Sequence, residues 1–222
     1  NRGPIYFSAQ TNTTGVYNTA IGLQALDACT TESFNVAVGS GALGAINTSA
    51  NTAVGHNAAH NATSAEQLTC IGTDAGNNIT TGSSNTCIGR SAGTQLVSGS
   101  NNIIIGASAQ ASASNQSNQI ILGNSTNDDL RCNDTSISGL SDSRDKTDIV
   151  DLPIGLSFVN SIRPVKFKWA SRDGNGNDGK IRAGFLAQEL QTASADATYL
   201  NLVMDDNPEK LVAKYGNLIP VM

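Results

Sequence analysis

NTAVGHNAAHNATSAEQLTCIG, residues 51–72, contains one pattern twice: the pentad NTAVG at 51–55 and the pentad LTCIG at 68–72. Outward in both directions the pentad recurs as NTAIG (18–22), NVAVG (35–39), NTCIG (85–89), NIIIG (102–106) and QIILG (119–123). The closing glycines, Gly22, Gly39, Gly55, Gly72, Gly89, Gly106 and Gly123, are spaced 17, 16, 17, 17, 17 and 17 residues apart. A period held that tightly over about a hundred residues marks a repeat architecture, each repeat being one supersecondary unit. Six of the glycines are followed three residues later by alanine: Ala25, Ala42, Ala58, Ala75, Ala92 and Ala109. The unit reads as strand, glycine corner, short second strand and polar loop.

Alternate residues of a strand share a face. The residue before each glycine is aliphatic (Ile21, Val38, Val54, Ile71, Ile88, Ile105, Leu122), and the residue three before is β-branched (Thr19, Val36, Thr52, Thr69, Thr86, Ile103, Ile120). The column between them, Ala20, Ala37, Ala53, Cys70, Cys87, Ile104 and Ile121, is apolar as well. A strand apolar on both faces is covered on both, yet a coil of one repeat has a single inside. The second face is therefore expected to pack against another copy of the chain. The small middle column is read as that contact face in a three-fold bundle, with subunits moving slightly apart at Ile104 and Ile121. A dimer satisfies the same burial argument, and closed cyclic symmetry is the general rule. Asn18, Asn35, Asn51, Asn85 and Asn102 begin five pentads, with Leu68 and Gln119 in the other two. Asparagine tolerates corner conformations, and stacked amides add a ladder. Seven strands at about 4.8 Å give a rod roughly 30–35 Å long.

Composition fits this reading. Charged residues are 14% and aromatics 5%, too few large side chains for an ordinary globular core. Net charge is −5 and the isoelectric point about 4.8, which argues against nucleic acid or an anionic membrane as partner. No stretch reaches the roughly 18 apolar residues of a membrane span, so no membrane insertion is expected. The chain starts at Asn1 rather than Met, so a fragment boundary is expected there. The cysteines form no CxxC pair; Cys70 and Cys87, in equivalent places of consecutive repeats, are expected to stack as small core residues. His56 and His60 lie four apart, a spacing that is not a shared face in a β array, so no metal or other cofactor is expected.

Along the chain, residues 1–16 are an aperiodic lead-in, 17–126 the repeat array, and 127–140 a junction with one strand expected around Thr135–Ser138. From Ser141 to Met222 Lys, Arg, Phe and the only Trp appear, and the glycine period is gone. Residues 154–162 are predicted helical, with Ile154, Phe158 and Ile162 on one face. Residues 163–170 alternate as a strand through Val165, Phe167 and Trp169. Residues 173–180 are a hairpin loop; Asp178 and Gly184 stand where a calcium loop needs Gly and Glu. Residues 181–190 begin extended and turn helical near Phe185, 210–217 form a strand, and LIPVM opens another helix. The loops between coils are rich in Ser, Thr, Asn and Gly and face solvent, where a host cell-surface receptor or glycan would bind. Tyr17 and Phe34 are the only aromatics of the array, so a shaft is favoured over a receptor tip.

Two resemblances follow. The pentads resemble the head repeats of trimeric autotransporter adhesins, N-x-A-I/V-G-x-x-A, which implies a trimeric left-handed parallel β-roll over 17–126. Residues 141–222 resemble the C-terminal intramolecular chaperone of endosialidase-type phage tailspikes and tail fibres. The matching residues are Ser141-Asp142-Ser143-Arg144-Asp145-Lys146 with Ile149, then Arg163-Pro164-Val165 with Phe167 and Trp169. Gly184-Phe185-Leu186-Ala187-Gln188-Glu189-Leu190 follow, and then Tyr215 with Leu218-Ile219-Pro220-Val221. That resemblance implies a small α+β domain that trimerises, templates the fibre before it and cuts itself off beside Ser141, between neighbours Leu140 and Asp142. Ser141 and Lys146 would form a catalytic dyad.

The chemistry is consistent with the residues. No histidine lies beyond His60, so a serine in this segment has no histidine base of its own. Lysine serves when desolvation disfavours its charged form. Gln188 and Glu189 are positional candidates for orienting groups. In the family the residue before the lysine is commonly aliphatic, and here it is Asp145. The family continues into a long helix, so a chain cut short at Met222 is expected. The expected protein is a homotrimeric tail-fibre segment of a virion, assembled in the host cytoplasm, and at most a single-turnover Ser-Lys autoprotease. A bacterial trimeric surface adhesin, or a receptor-binding module using the inter-coil loops, is the alternative.

Overall fold

The computed structural model describes residues 8–127, 130–131, 141–170, 179–205, 211–214 and 216–218. The chain divides into two compact units after Asn127. The first is a parallel β-solenoid of about six turns. Its strands β1 (Thr19–Ile21), β2 (Val36–Val38), β3 (Thr52–Val54), β4 (Thr69–Ile71), β5 (Thr86–Ile88), β6 (Ile103–Ile105) and β7 (Ile120–Leu122) form one sheet in sequence order. Each pentad stacks on the next in register, so Ala37, Ala53, Cys70, Cys87 and Ile104 form one column. Wrapping begins before the first pentad: Ala9 N–H donates to Ala25 O and Thr13 N–H to Thr30 O.

The returning glycine has two causes. Gly22, Gly39, Gly55, Gly72, Gly89 and Gly106 have φ between +126° and +137°, a region essentially closed to other residues. They also stack directly on one another: a Cβ on Gly55 would lie 2.5 Å from Gly72 O and 2.6 Å from Gly72 C. Beyond the glycine no second strand forms among the described residues. Left-handed residues recur two and four positions on, as at Gly41 with Leu43 and Asp74 with Gly76, and break any extended run. Neighbouring coils are still stitched there, by bonds such as Leu43 N–H to Ala58 O at 3.0 Å and Gly76 N–H to Ala92 O at 2.8 Å.

The two strand faces are used the other way round from the sequence expectation. Ala37, Ala53, Cys70, Cys87 and Ile104 are fully buried inside their own coil, against Leu26, Leu43, Ile46, Ile79 and Leu96. The residues beside the glycines point outward, with Ile71 40% and Leu122 57% exposed. Alanine and cysteine are therefore small because the coil's interior is narrow, not because copies of the chain meet there. The larger Ile104 is likewise an interior change. A Cβ on Gly93 would come within 2.5 Å of Cys87 Sγ and 3.3 Å of Ile104 Cδ1, so a missing side chain makes the room. Cys70 and Cys87 are buried, free and paired in register. A hydrogen bond with Cys87, reinforced by burial, pushes the Cys70 thiol well up.

The asparagines are ladder residues rather than corner residues. The left-handed position is the one before them: Tyr17, Phe34, Ala50, Gln67, Ser84, Asn101 and Asn118 have φ of 57–63°. Asn35, Asn51, Asn85 and Asn102 are fully buried. Asn35 Oδ1 accepts from Asn51 N–H at 3.0 Å and from Asn51 Nδ2 at 3.2 Å. Asn85 Oδ1 does the same for Asn102, at 3.0 and 2.9 Å. Asn102 Oδ1 passes the pattern to Gln119 N–H at 3.0 Å, while its Nδ2 caps Gln116 O at 2.9 Å. Leu68 interrupts the side-chain ladder, its own N–H still held by Asn51 Oδ1. Among the described residues no buried side-chain nitrogen or oxygen lacks a partner, which keeps an amide-rich interior from costing stability.

The second unit is α+β. Helix α1 (Leu156–Ser161) precedes β8 (Val165–Phe167), which pairs antiparallel with β9 (Arg182–Gly184). Helix α2 (Ala187–Ala193) follows, then β10 (Val203–Met204) paired antiparallel with β11 (Val212–Ala213). Phe158, Leu190, Ala197, Leu200, Leu202 and Leu218 form its core, with Ile154, Ile162 and Phe185 against them. Phe167 and Trp169 meet edge to face at 5.3 Å. The predicted elements are present: α1, β8 and β11 are shorter than their sequence patterns, while α2 begins later than expected and runs three residues past its pattern to Ala193. The strand expected near Thr135–Ser138, most of the hairpin loop from Asp173, and the chain beyond Leu218 lie outside the described residues.

Candidate functional site

Ser141-Asp142-Ser143-Arg144-Asp145-Lys146 folds as a tight local turn. Ser143–Asp145 is one turn of 3-10 helix, and Asp142 is its N-cap. Aspartate is a preferred cap because its carboxylate satisfies the free N–H groups of the first turn. Here Asp142 Oδ1 accepts from Arg144 N–H at 2.9 Å, and both carboxylate oxygens bind Arg144 Nε, at 3.0 and 3.1 Å. The Arg144 side chain, with its backbone N–H, holds the Asp142 carboxyl below its ordinary range. Lys146 N–H closes the turn on Ser143 O at 3.3 Å.

The closed turn brings together the two residues singled out from sequence. Lys146 Nζ lies 2.6 Å from Ser141 Oγ and is its hydrogen-bond partner. A nucleophile within hydrogen-bond reach of a nitrogen base is the geometry that serine activation requires. Every residue from Ser141 to Pro153 is exposed in the single chain. Leu140 lies outside the described residues. The suggested orienting groups are elsewhere: Glu189 takes the Arg163 guanidinium, with Arg163 Nε at 3.2 Å. Gln188 sits on the first turn of α2, where its backbone carbonyl accepts from the Thr192 hydroxyl at 3.0 Å. The Arg163–Glu189 pair ties the Arg-Pro-Val strand to α2, and sequence reasoning missed it because the two residues are 26 positions apart. The Asp142–Arg144 clamp was open to detection as an acid and a base two apart at a helix start. In the first unit, His60 Nδ1 bonds Gly41 O at 2.7 Å. No cluster of metal-ligating side chains occurs among the described residues.

Residues 141–199 match the family described as the chaperone of endosialidase. The match opens on Ser141 and takes in the Ser141–Lys146 turn, α1, the β8–β9 pair and α2. It supports the recognition of this segment as a C-terminal intramolecular chaperone, preceded by a β-solenoid. Comparison with curated proteins and with solved structures returns no match.

Proposed function

We propose that this chain is a segment of a viral tail fibre, a homotrimeric β-solenoid shaft whose folding and register are templated by the C-terminal segment, which then releases itself. The endosialidase-chaperone match supports a role related to phage tail fibres or tailspikes. The observation carrying the self-release is the 2.6 Å approach of Lys146 Nζ to Ser141 Oγ at the first residue of that match. Assembly takes place in the host cytoplasm, and the product belongs to the virion. The alternative, a receptor-binding module, would use the solvent-facing inter-coil loops toward a host receptor or glycan.

Ser141 Oγ gives its proton to the neutral amine of Lys146 and attacks an adjacent carbonyl carbon. The carbonyl of Leu140 is the one it reaches through an unstrained ring. The amide C–N bond breaks as the ester C–O bond forms, and the proton passes from Lys146 to the departing nitrogen. Water then hydrolyses the ester, leaving a carboxylate on Leu140 and a free amine on Ser141. A lysine acts as base where burial disfavours its ammonium form. The turn is exposed in the single chain, so burial comes from neighbouring copies, and cleavage follows assembly. Intact mass of the full chain is the test. Two fragments meeting at Leu140 and Ser141 are expected, and none from Ser141→Ala. An uncut wild type under assembling conditions removes the protease role and leaves the chaperone role standing.

A further inference from the structure

The outward face of the solenoid sheet is uneven. Three residues before the glycine it presents Thr19, Val36, Thr52, Thr69 and Thr86 in the first five coils, then Ile103 and Ile120. With Ile105 and Leu122 beside them, the last two strands carry an aliphatic patch. Ile103 and Ile105 are each 39% exposed, Leu122 57% and Ile120 72%. None of the seven pentads contains Asp, Glu, Lys or Arg, so the face offers no charge for a charged partner to answer.

From this geometry we infer that β6 and β7 are where copies of the chain first lock together, the patch of one copy seating on the same patch of another. The inference rests on the trimeric reading above. A repeating face presents nearly the same surface every strand spacing, so copies shifted by one coil match almost as well as aligned ones. In the first five coils the column is threonine four times and Val36 once, and the column beside the glycine is aliphatic throughout, so these coils distinguish the shifts less than the last two do. The paired isoleucines occur only at one end, and seating them fixes every other coil. The face is about 30 Å tall and 10 Å wide, roughly 300 Å², well short of the roughly 800 Å² per partner of a stable interface. The face therefore needs help, and its most apolar end is the one joined in sequence to the chaperone segment.

The test compares two outward-facing double variants of the full chain by light scattering on dilution. Ile103→Thr with Ile120→Thr is expected to raise the concentration at which the assembly half-dissociates by about a hundredfold or more. Val36→Thr with Val38→Thr is expected to raise it by about tenfold or less. Threonine already occupies the first column in four coils, so the fold tolerates it; Ile120→Thr alone serves if circular dichroism shows the double variant loosened. A trimeric wild type with an unshifted isoleucine variant, or with equal shifts in both variants, overturns the inference and leaves the trimer standing. A monomeric wild type overturns both.

Discussion

The two units solve the problem of burial in opposite ways. The solenoid satisfies itself: its core runs through every coil, its asparagines are paired, and its strands stack without gaps. Among its described residues the C-terminal unit buries Phe158, Leu190, Ala197, Leu200, Leu202 and Leu218 together and leaves Ile149 69%, Val150 84%, Leu156 74% and Trp169 52% exposed. The solenoid is complete along its axis but apolar on its outward sheet face, and the C-terminal unit leaves large apolar side chains exposed; the assembly proposed above would cover both. On the trimeric reading proposed above, the repeat supplies stiffness and the aperiodic end supplies the information about alignment that a repeat cannot carry.

Glycine gives the largest contrast between the units. Gly55→Ala puts a Cβ within 2.5 Å of the Gly72 carbonyl at a φ of +137°, so about 3 kcal/mol or more of stability is expected to be lost. Gly179 also has positive φ, +71°, but nothing lies within 4 Å of its Cβ position. Gly179→Ala is expected to cost only about 1–2 kcal/mol, the left-handed strain alone. Thermal melts of the full chain read both, and equal shifts would undo the claim that stacking of backbone on backbone sets the repeat.

Next in size is the amide ladder. Asn102→Ala takes the partners from the part-buried Gln119 N–H and Gln116 carbonyl and one of two from the buried Asn85 Oδ1, with an expected loss of about 1–3 kcal/mol. Chemical denaturation measures it, and a change below about 0.5 kcal/mol would return asparagine to a conformational role.

The smallest effect is a pH dependence. Burial raises the Glu32 carboxyl, but the N–H groups of the Thr30–Glu32 loop and the Thr31 hydroxyl outweigh it and bring it down to about 2 from an ordinary 4.5. Its folded value is depressed, so the stability it contributes is present above pH 4.5 and lost as pH falls toward 2. Glu32→Gln is expected to flatten that part of the melting-temperature profile by a small amount, since the group is partly exposed. An unchanged profile would show that the loop does not hold the carboxylate in solution.

Much of the solenoid was legible from sequence because period and register are the same information. The choice of face was not. Both strand faces are apolar, and only the bore of the coil decides that Ala53 and Cys70 go in while Val54 and Ile71 go out. The corner was misplaced by one residue because Tyr17, Phe34, Ala50 and Gln67 share a left-handed φ but no composition. In the second unit the Ser141–Lys146 pair was legible through its motif, five residues apart on one turn. The Arg163–Glu189 tie was not, being a tertiary contact with no local signal.

Sedimentation equilibrium of the Ser141→Ala chain at micromolar concentration tests the need for partners most directly. A particle three times the 22.9 kDa of one chain is expected. A stable particle of a single chain would contradict the burial of the outward aliphatic face between copies, and with it the shaft.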